Sequence, residues 1–463
     1  DVESPDIIKQ PFYVPAPWNI QIRHLRRDPE KVELSGIVKP LQNQNFRDIQ
    51  RRFSEGVIKL IRTVSISPER IKSMISKQLR AFLIFEGANY RTKVKINGKN
   101  IGLHEGGHLP FEYEITSFLK ENENTLEVVV DNHRYKHALP QEQFNWMNYG
   151  GIYRPIYIEW RPVVFIKQLD VFPYCNVNRW YAAVSLKLSD NIDGNAGLCI
   201  ESGQTKIFHC MAVKAGHGNM RLYVKNPKIW QPGKGGTSTL KVKFSHSGFT
   251  DEVTRVFGFR TVKVKGTKIL INGNEVFLKG VSLHEQHSAF GNSVPAWISD
   301  ADVRLIQYAG LNAARTSHYP HADTFYQACD RHGLMVIAEL PCWQFNQWHF
   351  ERPSMRAMAC DYAKSMVRYL GHHPSIIGWN IHTESYTFEK GAKEFFSAIA
   401  GTFRKADPTR IITSAETTRP PEHLAVGTKG AVLKSFPPTA GIVDVVGVNN
   451  YAGWYSHKAS TMA

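Results

Sequence analysis

The chain has 463 residues, and its shares of hydrophobic (42%) and charged (21%) residues are typical of a folded globular protein rather than a disordered or fibrous one. The formal net charge is +16, but Lys and Arg are scattered and form no zinc-finger or basic-zipper pattern, so a basic surface is favoured over nucleic-acid binding. No run of about 18 apolar residues occurs, which argues against a membrane-spanning segment. At about 150 residues per domain, the length predicts roughly three domains.

The six cysteines lie far apart and show no C-x-x-C spacing. The sequence therefore predicts neither a zinc site nor a disulfide framework, and we expect buried free thiols. No Asn-x-Ser/Thr sequon occurs, which disfavours a glycosylated secretory protein. We expect a soluble protein, with a cytoplasmic location favoured over a secreted or periplasmic one, and the location stays open. No metal and no cofactor is predicted.

The segment from about residue 11 to residue 161 is predicted to form a β-sandwich. Its clearest alternating runs cover residues 81–87, 90–96 and 125–131, and the Asn97-Gly98 pair predicts a hairpin turn. Residues 23–70 depart from this pattern, because they are charged and are expected to be partly helical. A second, smaller sandwich of about 100 residues, the usual immunoglobulin-like size, is predicted for residues 163–260 from further alternating runs.

After Lys268 the pattern changes to alternating strands and helices. Helices are predicted at residues 300–309, 321–332, 358–370 and 390–404. Strands are predicted at residues 276–283, 312–316, 334–340, 375–381, 410–415 and 443–449. Repeated units of this kind predict a (β/α)₈ TIM barrel, of which about six of the eight strands are present.

Polar and aromatic side chains follow these predicted strands, where the catalytic groups of such barrels lie. They include His284-Glu285, His318-Tyr319, Glu339, Glu384, Glu416 and the segment from Asn449 to Tyr455. Aromatic rings stack on pyranose faces and carboxylates supply acid/base and nucleophilic groups, so this set favours a sugar-binding site. The alternative is that the acidic residues cap the following helices. Catalysis is favoured for Glu384, which follows an apolar strand, whereas both interpretations stay open for Glu339 and Glu416.

Several motifs carry a resemblance to a known family. In the first half they are GANY (87–90), HEGGHLPF (104–111), NYGGIYRP (148–155) and NPKIWQP (226–232). In the second half they are FGFRT (257–261), LKGVSLHE (278–285), RTSHYP (315–320) and HPSIIGW (373–379). In this order they resemble glycoside hydrolase family 2, which holds β-galactosidases, β-glucuronidases and β-mannosidases. The resemblance covers nearly the whole chain.

The resemblance implies a jelly-roll sugar-binding domain over residues 1–162, an immunoglobulin-like β-sandwich over residues 163–263 and a TIM-barrel catalytic domain over residues 264–463. It implies a retaining exo-β-glycosidase that hydrolyses terminal β-glucuronides or β-galactosides, with Glu384 as the acid/base. By the same resemblance, the substrate-binding residues would be His284, His318, Thr383, Tyr451, Trp454, Tyr455 and Asn145.

Three departures from the family pattern stand out. Thr383 takes the place of the usual Asn before the acid/base Glu, and Asn145 takes the place of an Asp of the β-glucuronidases. The family nucleophile lies on the seventh strand, beyond the segment from Tyr451 to Tyr455, so the 463-residue chain alone is expected to show only residual hydrolysis. The alternative is a catalytically incomplete carbohydrate-binding form. The expected partner is a carbohydrate, with no nucleic acid and no membrane, and a homo-oligomer stays open.

Overall fold

The structure is a computed structural model that describes residues 14–17, 55–417, 424–427, 430–433 and 437–449. The predicted site residues Tyr451, Trp454 and Tyr455 lie outside these ranges. In the described part, no helix is long and apolar enough to cross a membrane. The predicted domain boundaries at residues 162 and 263 stay predictions.

The first sandwich consists of a four-stranded sheet in the order β1-β7-β4-β5, a three-stranded sheet in the order β6-β2-β9, and the short pair β3–β8. The two larger sheets pack around one apolar core that includes Phe85, Val94, Val128 and Val130. The strands are β1 (Val57–Ile66), β2 (Leu79–Phe85), β3 (Ala88–Asn89), β4 (Arg91–Ile96), β5 (Lys99–Glu105), β6 (Phe111–Glu114), β7 (Asn122–Asp131), β8 (Gly151–Ile152) and β9 (Ile156–Pro162). Helix α1 (Pro68–Ser76) and a short 3₁₀ helix (Thr116–Phe118) complete it.

Strand β1 corrects the expectation for residues 23–70, of which the structure describes only residues 55–70. It pairs along its whole length with β7, and Ile58 and Leu60 pack against the core. The alternation of apolar and polar residues along β1 was hard to recognise, because its solvent-facing side also carries an apolar residue, Ile61, which is 62% exposed. Among residues 55–70, the helical expectation holds from Pro68 onward.

The second sandwich has one core shared by two layers. Strands β10, β11 and β14 pair in one layer, and β13, β12, β15 and β16 pair in the other. Strand pairing joins the two layers into one continuous seven-stranded sheet at the β13–β14 hairpin, through Val213↔Gly218 and Lys214↔His217. The strands are β10 (Ile166–Asn176), β11 (Arg179–Leu188), β12 (Gly194–Ser202), β13 (Thr205–Lys214), β14 (His217–Val224), β15 (Ser238–His246) and β16 (Phe249–Phe257).

A small antiparallel sheet precedes the barrel and comprises β17 (Val262–Lys265), β18 (Lys268–Ile271) and β19 (Asn274–Val276). Its Ile271 packs with Trp230 against Ala313, Met335 and Ile377. The last three residues lie near the amino ends of barrel strands, so the small sheet covers that end of the barrel. The single strand predicted at residues 276–283 is therefore wrong in its first half. Strand β19 ends at residue 276, and the first barrel strand begins at residue 280.

The C-terminal region is a curved sheet of six parallel strands in sequential order, as predicted. They are β20 (Gly280–Leu283), β21 (Ala313–Thr316), β22 (Met335–Glu339), β23 (Ile376–Thr383), β24 (Ile411–Thr417) and β27 (Val445–Asn449). The helices are α2 (Ala296–Tyr308), α3 (Asp323–His332), α4 (Gln347–Phe350), α5 (Pro353–Leu370) and α6 (Ala392–Ala406). The hairpin β25 (Leu424–Gly427) and β26 (Gly430–Leu433) and a 3₁₀ helix (Pro438–Gly441) lie between β24 and β27.

Local sequence explains where these helices begin and end. Helix α3 carries Asp323 in its first turn and Arg331 and His332 in its last, which complements the helix dipole. It ends at Gly333, whose φ of 75° is a left-handed conformation that favours glycine. Helix α5 begins at Pro353, earlier than predicted, because proline is well tolerated in the first turn.

The cysteines are only partly as expected. All six are free thiols. Cys329 and Cys342 are buried, whereas Cys175, Cys199 and Cys360 are half-buried. Cys210 is exposed, so the expectation of burial is wrong for it, since its side chain is on the outer face of β13.

Candidate active site

Four predicted residues come from successive strand ends at one edge of the barrel sheet. His284 follows β20, His318 follows β21, Glu339 ends β22 and Glu384 follows β23. The imidazole rings of His284 and His318 are 5.4 Å apart in a perpendicular arrangement. His318 Nδ1 lies 2.8 Å from Glu339 Oε2.

Glu384 is held at this edge by two amide donors. Asn449 Nδ2 donates to Glu384 Oε1 at 2.9 Å, and Gln344 Nε2 donates to Oε2 at 3.2 Å. The backbone of Glu384 has a φ of 53°, an uncommon conformation for a non-glycine residue that is found preferentially at functional sites. Glu384 is 8% exposed, so its carboxylate is close to the surface of the site without being freely solvated.

Arg315 contacts the Glu339 carboxylate directly and is linked to the Glu384 carboxylate through Asn449. Its Nε lies 2.9 Å from Glu339 Oε1, and its Nη1 donates to Asn449 Oδ1 at 3.2 Å. Burial raises the pKa of Glu339, but Arg315 and His318 outweigh burial, so the net pKa of this carboxyl is lowered. Glu339 therefore positions Arg315 and His318 and is itself fully buried.

Thr383 is 1% exposed, and its hydroxyl donates to Glu339 Oε1 at 3.2 Å. The same hydroxyl accepts from Asn380 Nδ2 at 3.1 Å. It is thus engaged with side chains of the barrel interior, and its predicted contact with substrate stays a prediction.

A loop of the first sandwich supplies one wall of the site through Trp146. Its ring centre lies 5.4 Å from that of His318 and 6.1 Å from that of His284. It also packs with Phe144, Tyr319 and Trp343 in one buried aromatic cluster. Asn145 is exposed and adjacent to this ring. Sequence reasoning missed Trp146, although two aromatic residues flanking the chosen Asn145 were a signal.

Two other strand-end acids have structural partners. Glu416 lies 3.1 Å from His382 Nε2 and accepts from Thr387 at 2.9 Å. Burial raises the pKa of Glu416, but His382 together with the hydroxyls of Thr439 and Ser414 outweighs burial, so the net shift is downward. Glu285 pairs with Arg154 of the first sandwich at 2.6 Å.

The Arg154–Glu285 pair joins the first sandwich to the barrel. Both residues are 5% exposed, and Arg154 also donates to the carbonyl oxygens of His108 and Pro320. Burial disfavours the charge of Arg154, but Glu285 outweighs this effect and raises its pKa. The pair therefore fixes the first sandwich, and with it the Trp146 loop, against the barrel.

We expect the imidazole of His284 to be neutral near neutral pH, because burial, together with His318, lowers its pKa to about 4. Since the folded state favours the neutral ring, the stability from this group should fall as the pH drops from about 6.5 towards about 4. An NMR titration of the histidine ring nitrogens, assigned with a His284→Phe variant, measures the midpoint. A midpoint near the ordinary value of about 6.5 would contradict the expectation.

Comparisons with known proteins agree with this architecture. The model for the sugar binding domain of glycosyl hydrolases family 2 matches residues 43–178, and the model for the TIM barrel domain of the same family matches residues 262–462.

Among curated proteins, the chain is similar to a β-glucuronidase of Paenibacillus borealis, with 28% identity over 408 residues that cover 81% of this chain and 65% of that protein. It is also similar to the β-glucuronidase of Sus scrofa (27% identity, 81% and 60% covered) and to a β-galactosidase large subunit of Latilactobacillus sakei (29% identity, 75% and 57% covered). The chain thus spans 57 to 65% of the length of these three relatives.

Among solved structures, the β-D-glucuronidase of Dictyoglomus thermophilum has a TM-score of 0.73 at 27% identity, with 93% of this chain and 78% of that chain covered. The β-glucuronidase of Bifidobacterium dentium, solved with coumarin-3-O-glucuronide, has a TM-score of 0.81 at 22% identity, with 98% and 74% covered. At 22% identity, the similarity to the Bifidobacterium dentium structure shows a shared fold.

Proposed function

The chain belongs to glycosyl hydrolase family 2, and from this premise we propose that it acts as a retaining exo-β-glycosidase on terminal β-linked sugars, with Glu384 as the acid/base. The sugars proposed are β-glucuronides or β-galactosides, because the relatives are named for these activities. The observation that carries the proposal is the placement of Glu384 at the end of β23, beside Asn449 and on the same sheet edge as His284 and His318.

In this mechanism, the Glu384 carboxyl first donates its proton to the glycosidic oxygen of the leaving group. A second carboxylate attacks the anomeric carbon and forms a glycosyl-enzyme intermediate. Glu384, now ionised, then takes a proton from the water that releases the sugar. Asn449 and Gln344 each donate to one carboxylate oxygen, which keeps the group oriented through both steps.

The second carboxylate must lie about 5–5.5 Å from Glu384. Glu285 and Glu339, two other acids at the described barrel strand ends, pair with Arg154 and Arg315, and Glu416 lies 3.1 Å from His382 Nε2. These three residues are at most 5% exposed, and both oxygens of each carboxylate already have partners, so we do not assign the nucleophile to them. We therefore propose that the nucleophile is supplied by a segment outside the described residues.

A panel of nitrophenyl β-glycosides tests the proposal, assayed with this chain and with the longest natural form of the protein. We expect turnover of the β-glucuronide or the β-galactoside by the longest form, with the β-configuration retained in the first-formed sugar as observed by NMR. An inverted product would overturn the retaining mechanism. Sugar binding without turnover in every form would favour the carbohydrate-binding alternative, for which Thr383 is the supporting sequence feature.

A further inference from the structure

A second concave region lies away from the strand-end site. It is a cleft of about 890 Å³ bordered by both sandwiches and by the outer side of the barrel. Its lining is strongly charged and includes Glu86, Arg161, Asp251, Arg255, Asp323 and His372. Glu384, His284 and His318 do not line it, so any ligand bound there is separate from the glycosidase site.

Three potential metal ligands converge on this cleft. Asp323 begins α3, and His372 and His373 occupy the connection between α5 and β23. One carboxylate oxygen and one ring nitrogen from each histidine all lie within 4.8 Å of one another. A carboxylate with two imidazoles is a nitrogen and oxygen donor set that suits zinc and other divalent transition metals.

The ring of His373 lies between two aspartate carboxylates. Its Nδ1 lies 2.6 Å from Asp330 Oδ2, and its Nε2 lies 2.9 Å from Asp323 Oδ1. Asp330 is itself fixed, because its other oxygen accepts from the backbone of Ser375 at 3.0 Å. A carboxylate that accepts from one ring nitrogen and directs the other toward the ion is the usual support of metal-binding histidines.

His372 supplies an imidazole with no other assignment. Its ring centre lies 4.1 Å from that of His373, it lines the cleft, and no hydrogen bond to its ring is present within the described residues. Arg255 also lines the cleft and opposes a bound cation. The two carboxylates of Asp323 and Asp330 offset that opposition, since together they match the charge of a divalent ion.

We propose that Asp323, His372 and His373 bind one divalent transition-metal ion, with Zn²⁺ as the best match, and that water from the cleft completes the coordination. On binding, the ion takes the place of the proton between His373 Nε2 and Asp323 Oδ1. Metal–ligand distances of about 2.0–2.2 Å require small side-chain rotations that bring the three donor atoms closer together. Such an ion would link α3 to the connection before β23.

The test uses the full chain after chelator treatment and dialysis. Calorimetric titration with Zn²⁺ should show one site per chain, and Co²⁺ should produce the visible absorption of a tetrahedral complex. His372→Ala should lower the affinity for Zn²⁺ by at least the roughly 10- to 100-fold that loss of an orienting hydrogen bond costs a metal site. His217→Ala, at an exposed hairpin position of the second sandwich, is the matched control and should bind as the parent chain does.

Asp323→Asn is the second variant, because it retains size and removes the ligand charge, and it should weaken binding without loss of circular dichroism. The proposal is overturned if the parent chain binds no Zn²⁺. It is equally overturned if folded His372→Ala and Asp323→Asn bind Zn²⁺ as tightly as the parent. Glycoside turnover does not enter this readout, so the result is independent of the function proposed for Glu384.

Discussion

Replacing Glu384 by glutamine should lower kcat/KM for glycosides with poor leaving groups by about 10²- to 10⁴-fold, the usual contribution of general acid–base catalysis. The amide has nearly the same shape as the carboxyl group, but it has no proton to give to the glycosidic oxygen. A nitrophenolate leaves without protonation, so the loss in the first chemical step should be much smaller for nitrophenyl substrates. The measurement is kcat/KM for an alkyl and a nitrophenyl glycoside with whichever natural form turns over.

Glu394→Gln is the control for this experiment, because Glu394 is exposed on α6 and lies outside the site described above. It should leave both rates within error of the parent protein. An equal loss for both leaving groups in Glu384→Gln would contradict the acid/base role. It would instead indicate that Glu384 orients the substrate or supports the pocket.

Replacing Glu285 by glutamine should reduce the free energy of unfolding by about 3–5 kcal/mol, the usual result of removing one partner of a buried ion pair. Arg154 would keep its charge in a position that is 5% exposed and would lose the carboxylate that compensates it. Urea unfolding followed by tryptophan fluorescence measures the change. Because the pair joins the first sandwich to the barrel, we expect the unfolding transition at the lowest urea concentration to be the one that is affected.

Glu275→Gln is the matched control, since Glu275 pairs with Lys268 and their side chains are 55% and 57% exposed. Such surface pairs contribute only about 0–1 kcal/mol. Adding Arg154→Met to Glu285→Gln should recover part of the loss, because no buried charge remains uncompensated. If Glu285→Gln is no more destabilising than Glu275→Gln, the pair does not hold the two parts together.

The barrel was readily predicted because its signals are local. Strand β23, in which every residue is buried, begins with the apolar run Ile376–Trp379, and helix α3 ends at Gly333. The small sheet β17–β19 was harder to predict, since its strands have only three or four residues. Strand β1 was missed because both of its faces carry apolar side chains, which hides the alternation.

Counting strand ends predicts only those residues of the candidate site that follow barrel strands. His284, His318 and Glu384 could be found by counting strand ends, because parallel strands end at one edge. Trp146 could not be found in this way, since its contact with His318 depends on how the first sandwich packs on the barrel. The same holds for the Arg154–Glu285 pair, whose members are 131 positions apart in the chain. No local periodicity encodes such a contact.

The contact between Trp146 and His318 has a consequence for the order of events during refolding. Trp146 precedes the second sandwich in the chain, whereas His318, against which its ring packs, follows that sandwich. Contacts between such distant segments form late in folding, because the entropy lost in closing the long loop precedes any gain from the contact. Individual domains fold first and dock afterwards. Secondary structure should therefore return before the Trp146 ring reaches His318, and binding competence should lag behind circular dichroism during refolding.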